Sequence, residues 1–295
     1  MCAMSPSELL QLPKIGLGCM SLPESFEAAQ KVINQALDSE ITFFDTADLY
    51  QKGKNEENLG KALRLRRTDV ILATKVGNQW NPDGKSWSWN PRKEYILKAV
   101  EDSLKRLQTD YIDLYQLHGG TIEDPWDEIF EAFELLKCQG KIRAFGISSI
   151  RPNVIRKVMA MNSPATILMQ YSPLDRRPEE AIFPKLEETE TRVLVRGAFA
   201  KGMLIDRPVS DFLDLPSEKV EQIKEEIRGM GFSPEAVLIR FGLSEKVVSS
   251  LVIGASSTDQ IEKIILGMRE SESIPASMMA EWKARFPANL YQDHR

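Results

Sequence analysis

Residues 41–75 read ITFFDTADLYQKGKNEENLGKALRLRRTDVILATK. The apolar run ITFF (41–44) gives way to a stretch of helical period over 55–65, and a second apolar run, VILAT (70–74), follows. A short apolar run, an amphipathic stretch and another apolar run make a strand, a crossover helix and a parallel strand. The first run ends at Asp45 and the second at Lys75, so opposite charges stand where two neighbouring strands finish.

The same alternation extends over the chain. Further strands are expected at KIGLGC (14–19), IDLYQL (112–117), RAFGI (143–147), TILMQ (166–170), RVLVR (192–196) and VVSSLVIG (247–254). Between them lie helical stretches at 26–38, 91–107, 125–139, 152–161, 178–189, 217–228, 233–243 and 257–268. Asn90-Pro91, Asp124-Pro125 and Ser233-Pro234 each place a capping side chain before a proline at the first helical position. Eight strand–helix units predict a closed (β/α)8 TIM barrel forming a single domain over residues 1–295, with a doubly wound open sheet as the alternative.

Composition narrows the function. The 295 residues carry 38 Lys+Arg against 43 Asp+Glu, a net charge of −5, and the densest basic cluster, Arg64, Arg66 and Arg67, is too short to follow a phosphate backbone. Nucleic acid is not an expected partner. The start, MCAMSPSELL, has no charged region followed by an apolar one, and no apolar run reaches the roughly 18 residues of a membrane span. Cys2, Cys19 and Cys138 form no CxxC pair and suit a reducing cytoplasm. With only His118 and His294, no His-rich metal site is expected, and no apolar helix stripe demands an oligomeric partner. Gly16-Leu17-Gly18 lacks the third glycine of a dinucleotide fingerprint, and Gly197 to Gly202 is followed by Met203-Leu204 where a P-loop needs Lys-Ser/Thr.

In a barrel, catalytic groups sit at the C-terminal ends of strands. Asp45, Lys75 and His118 end three consecutive barrel strands, and Tyr50 follows Asp45 by five residues. A phenol is a poor acid near neutral pH, its unperturbed pKa being about 10, and a buried cation beside it stabilises the phenolate. Lys75 is the candidate cation, Asp45 its counter-charge, and His118 the group that orients a substrate oxygen. The set suits proton donation to a carbonyl as a hydride arrives, which requires a nicotinamide because side chains supply no hydride.

These residues resemble the aldo-keto reductase family over nearly the whole chain, through ITFFDTADLYQKGKNEENLGKAL, VILATKVG and YIDLYQLHGG. The resemblance implies a (β/α)8 barrel and NADP(H)-dependent reduction of a small carbonyl substrate, NAD(H) being the other option. It makes Tyr50 the general acid, the Asp45–Lys75 pair its tuning element and His118 the residue that positions the carbonyl. GISS and LMQYSPL resemble the segments that hold the nicotinamide carboxamide, giving Ser148, Ser149 and Gln170; Ser149 stands where members usually have Asn. VRGAFAKGML resembles the loop around the pyrophosphate, with Gly197, Phe199, Lys201 and Gly202. Arg196 replaces an aromatic residue that stacks on the nicotinamide, and its charge is unwelcome beside an oxidised ring, which predicts a preference for the reduced cofactor. VIGASSTDQIEKII resembles the segment for the 2′-phosphate, giving Ser256, Gln260 and Lys263. Cys19, Met20, Asp45 and Gly254, at strand ends, are expected beside the cofactor. Glu40 stands where members usually end the first helix with Gly.

Two other features complete the reading. In GNQWNPDGKSWSWN, Trp80, Trp87 and Trp89 either wall a substrate pocket or cover the barrel rim; Met159, Met161 and Met169 read as core. The tail after Ala276, with Trp282 and Phe286, is expected to pack across the barrel or pocket. Potassium-channel β subunits resemble the same family, so a cofactor-binding redox sensor is the alternative function. A Schiff-base enzyme using Lys75 is a third.

Overall fold

In chain order the strands are β1 (Ile15–Gly18), β2 (Phe43–Asp45), β3 (Ile71–Val76), β4 (Asn78–Trp80), β5 (Trp87–Trp89), β6 (Ile112–Leu117), β7 (Ile142–Ser148), β8 (Thr166–Gln170), β9 (Arg192–Arg196) and β10 (Val248–Gly254). The computed structural model describes residues 10–295; Cys2 and the N-terminal leader reading of residues 1–9 lie outside them. Apart from the β4–β5 hairpin, the strands pair in parallel and close in the order β1-β10-β9-β8-β7-β6-β3-β2. β1 pairs with both β10 and β2, so the sheet has no edge and the open-sheet alternative is excluded.

The helices are α1 (Phe26–Asp38), α2 (Lys54–Leu63), α3 (Lys93–Leu107), α4 (Trp126–Cys138), α5 (Pro152–Met161), α6 (Pro178–Ala181), α7 (Phe183–Leu186), α8 (Ser217–Arg228), α9 (Pro234–Gly242), α10 (Thr258–Ser271) and α11 (Ala276–Arg285). α1 shows why they form. Ser25 Oγ accepts the Ala28 N–H at 3.3 Å, and Ala29, Val32, Ile33 and Ala36 recur at helical spacing to bury one face. Those faces build an outer core between helices and sheet. A separate inner core fills the barrel with Leu10, Phe43, Ala73, Leu114, Ala144, Ala165, Leu168, Leu194 and Val252, large residues beside small ones.

Several local expectations change. Ser233 caps α9 as its sequence predicts, through the Ala236 N–H. Asn90 does not cap α3: its own N–H is given to Gly77, which ties it to the hairpin, and the helix starts at Lys93. Asp124 does not cap α4 either, because its carboxylate is taken by Trp89 Nε1 at 3.0 Å and the Thr121 N–H at 2.7 Å. The single helix expected over 178–189 is two short ones, since Pro184 has no N–H to carry the helix on. The tail forms α11 and packs against α9: Trp282 meets Phe241 edge-on and stacks on Phe286. Met169 is core, Met159 half-buried and Met161 exposed. Among the described residues no helix is long and apolar enough to cross a membrane, and no cluster of His, Cys, Asp and Glu could hold a metal.

Candidate active site

Alternation along β3 turns Ala73 and Lys75 into the barrel, and Lys75 lies opposite Gln116 of β6. β2 brings Asp45 level with Ala73. Lys75 Nζ donates to Asp45 Oδ1 at 2.5 Å, to the Thr46 carbonyl at 2.7 Å and to Tyr50 Oη at 3.4 Å. The other oxygen of Asp45 accepts Gln116 Nε2 at 2.9 Å. Both ions are almost fully buried and fully hydrogen-bonded, the condition under which a desolvated pair persists. Burial alone pulls the Lys75 pKa down, but Asp45 and Tyr50 outweigh it and hold the amine above its ordinary value. Lys75 is therefore a fixed cation, not the neutral amine a Schiff base requires.

His118 follows β6, its N–H given to the Val76 carbonyl at 2.7 Å. Its ring meets Tyr50 edge-on with centroids 5.9 Å apart, and Nδ1 is buried without a partner. Burial first, then Lys75 and Arg196, push its pKa down to about 3, so the imidazole is neutral at physiological pH.

The segment after Tyr50 turns back sharply. Gln51, Lys52 and Gly53 all have left-handed backbones, with φ of 50°, 56° and 84°. Gln51 Nε2 donates to the Leu22 carbonyl at 2.8 Å, and Lys52 Nζ sits 5.4 Å from the Trp80 ring centroid. Gly53 lies against Arg106, where a Cβ would come within 2.8 Å of the guanidinium stem. These three anchors fix the backbone that carries Tyr50.

The four groups line a cavity of about 1020 Å³ whose walls draw on the ends of seven barrel strands and on His118 just past β6. Met20, Ser148, Ser149, Gln170 and Arg196 line it together with Gly197 and Gly254. Phe199, Lys201, Gly202, Gln260 and Lys263 also line it, as do Trp87 and Trp89 of the hairpin. Three expected residues do not. The Cys19 thiol is turned into the outer core, donates to the Leu17 carbonyl and is pushed to high pKa by burial. Trp80 packs beneath Lys52. Ser256 gives both its N–H and its hydroxyl to Gln260 Oε1, at 2.7 and 3.2 Å. The tail, residues 276–295, contributes nothing to the lining.

Sequence reasoning missed Thr46, Gln116 and Asn78. Gln116 was findable: it is a polar residue near the end of a mostly apolar run, directly across from Lys75. Asn78 lines the cavity and holds the His118 carbonyl through Nδ2 at 3.2 Å.

The donor set suits a dinucleotide. The lining carries the Tyr50 phenol, and Lys201, Arg207 and Lys263 against Asp206 and Glu235. Gln260 and Lys263, from the first two turns of α10, line the cavity, with Ser257 capping the helix, and a helix N-terminus attracts phosphate. The volume of about 1020 Å³ stands at the upper end of the roughly 300–1,000 Å³ of ligand pockets, as a dinucleotide requires.

Residues 14–285 match the model of the aldo/keto reductase family. The uncharacterized oxidoreductase YqkF of Bacillus subtilis is 45% identical over 97% of this chain and 96% of its own. Aldo-keto reductase yakc [NADP(+)] of Schizosaccharomyces pombe is 36% identical over 68% of this chain and 64% of its own. Among solved structures, the holo form of aldo-keto reductase AKR11C1 from Bacillus halodurans superposes with a TM-score of 0.91 at 44% identity, covering 96% of this chain and 95% of that one. A closed barrel whose strand ends gather Asp45, Tyr50, Lys75 and His118, matched along nearly its whole length, places the chain in the aldo/keto reductase family as an NAD(P)H-dependent oxidoreductase.

Proposed function

We infer that the protein reduces an aldehyde or ketone to the alcohol with NADP(H), Tyr50 supplying the proton. The observation that carries this reading is Lys75 Nζ, which bridges Asp45 Oδ1, the Thr46 carbonyl and Tyr50 Oη in one cavity. Bound reduced nicotinamide supplies the hydride, which no side chain can. Ser148, Ser149 and Gln170 would hold its carboxamide, the Gly197–Gly202 loop with Lys201 its pyrophosphate, and Gln260 with Lys263 the adenosine end. The cations on the lining, and the NADP(+) in the name of the S. pombe relative, favour the phosphorylated cofactor.

The residues divide the work. His118, neutral, orients the carbonyl oxygen without competing as an acid. Tyr50 Oη gives its proton to that oxygen as the carbon becomes tetrahedral. Lys75 stabilises the phenolate left behind, and Asp45 keeps Lys75 charged in a site where burial alone would strip its proton. Trp87 and Trp89 wall the cavity on the hairpin side, with Trp89 held by Asp124.

NADPH and NADH binding followed by fluorescence quenching, then nucleotide oxidation on adding aromatic and aliphatic aldehydes, tests the reading. Tight binding without oxidation would replace it with a cofactor-sensing role. In Tyr50→Phe, kcat is expected to fall about 10²–10⁴-fold while NADPH affinity stays within about twofold, because the change removes the acid and little binding. Near-normal turnover of that variant sinks the assignment of Tyr50.

A further inference from the structure

Lys75 and Arg196 both line the cavity that holds Tyr50 and His118, but only one of them is neutralised. Lys75 has Asp45 at 2.5 Å. Arg196 ends β9, level with Gln170 on β8 and Val252 on β10, and its Nη1 donates to Gln170 Oε1 at 3.1 Å, an uncharged acceptor. Among the described residues no carboxylate stands within ion-pair distance of it. The acid on the far side of Gln170, Asp175, accepts Gln170 Nε2 at 2.9 Å and is already paired with Arg177 at 2.7 and 2.8 Å. Gln170 thus separates the guanidinium from the carboxylate that could have balanced it.

With His118 neutral, the charged residues of the barrel strands that line the cavity are Lys75 and Arg196 against Asp45, an excess of one positive charge. Burial pulls the Arg196 pKa below its ordinary value, with Tyr50, Asp175 and Asp45 opposing, as expected of a cation whose lost hydration is incompletely replaced. A guanidinium nonetheless keeps its proton throughout the physiological range.

We propose that Arg196 sets the redox bias of the site, its unneutralised charge favouring the uncharged reduced nicotinamide over the positively charged oxidised one. This rests on the reading of the cavity as an NADP(H) site. In reduction, a hydride passes to the carbonyl carbon and a proton from Tyr50 to the oxygen, so the cofactor ring is left one unit more positive. To reach a carbonyl held by Tyr50 and His118, that ring must occupy the compartment Arg196 lines. Two positive charges confined there repel more strongly than in water. The protein then grips reduced cofactor and gives up oxidised cofactor readily, so the charge speeds product release while opposing the oxidised ring at the hydride step itself.

Fluorescence titration of the wild type, Arg196→Gln and Arg196→Lys with NADPH and with NADP+ decides the matter without any turnover. The wild type is expected to bind NADPH at least about tenfold more tightly than NADP+. In Arg196→Gln the ratio of the two dissociation constants should shrink by about tenfold, mainly through tighter NADP+. Arg196→Lys keeps the charge and should keep the ratio within about threefold. Equal affinities in the wild type, or an unchanged ratio in Arg196→Gln while NADPH still binds, overturn the proposal and leave the cofactor reading standing. Failure of both nucleotides to bind the wild type overturns the cofactor reading itself.

Discussion

Asp48, two residues before Tyr50, is buried with Oδ1 unpartnered. Burial pushes its carboxyl up to about 8, Glu56 adds to the rise, and Arg106 and Lys75 oppose it. Arg106 is already engaged with Glu56 at 2.7 Å, and Thr74 Oγ1 donates to the other Glu56 oxygen at 2.6 Å. An unfolded aspartate titrates near 3.9, so between about pH 4 and 8 the folded chain holds a proton that the unfolded chain has released. Stability from this group is whole below about pH 4 and is lost as pH rises through about 8. Asp48→Asn has nearly the same shape and no proton to retain. In urea unfolding it is expected to exceed the wild type by about 1 kcal/mol or more at pH 8, with the gap closing toward pH 4. A gap that ignores pH would mean that Asp48 is ionised in the fold.

At the level of elements, two non-glycine residues in the left-handed region separate strain that serves nothing visible from strain that holds the site. Glu40 ends the run after α1 at φ 62°, exposed, where glycine would cost no strain. Gln51, at φ 50°, instead anchors the Tyr50 segment through Leu22. Glu40→Gly should raise stability by about 1 kcal/mol and leave kcat alone. Gln51→Gly should relieve similar strain yet lower kcat, since the tether of the Tyr50 segment is gone; equal kcat in both variants would show that the tether is idle. The strands and most helices were legible because each buries one continuous run or stripe, as in α1 and β6. The β4–β5 hairpin was not read, although Asn81-Pro82-Asp83-Gly84 is a turn signal between NQW and WSW. α11 was missed because ASMMAEWKAR mixes apolar and charged residues without a clean stripe; Met279 and Trp282 alone are buried.

Across the whole molecule, the barrel and the four catalytic candidates could be read from the sequence, because Asp45, Lys75 and His118 fall at strand ends that open on one mouth and Tyr50 follows Asp45 closely, whereas Cys19 turned outward. The cavity's reach could not, since Arg151, Arg207 and Glu235 enter it from loops and from a helix start whose paths no local pattern encodes. The same geometry makes cofactor binding a global event. Gly18, Asp45, Lys75, Ser148, Gln170, Arg196 and Gly254 lie on seven of the eight strands and His118 directly follows the eighth, so a ligand filling the cavity contacts the barrel all the way round. A ligand that binds only the folded chain stabilises it by about 2.7 kcal/mol at a concentration of 100 Kd. For a chain of this size that corresponds to a rise in Tm of about 5 °C. NADPH is therefore expected to raise Tm by about that amount in a single cooperative transition, and its removal by gel filtration to restore the original value. NADP+ at the same concentration should raise it less, because the excess charge at Arg196 weakens its binding. An unchanged Tm with NADPH in large excess would mean that the cavity does not take the nucleotide, and the Asp45, Tyr50, Lys75 and His118 cluster would then need another partner.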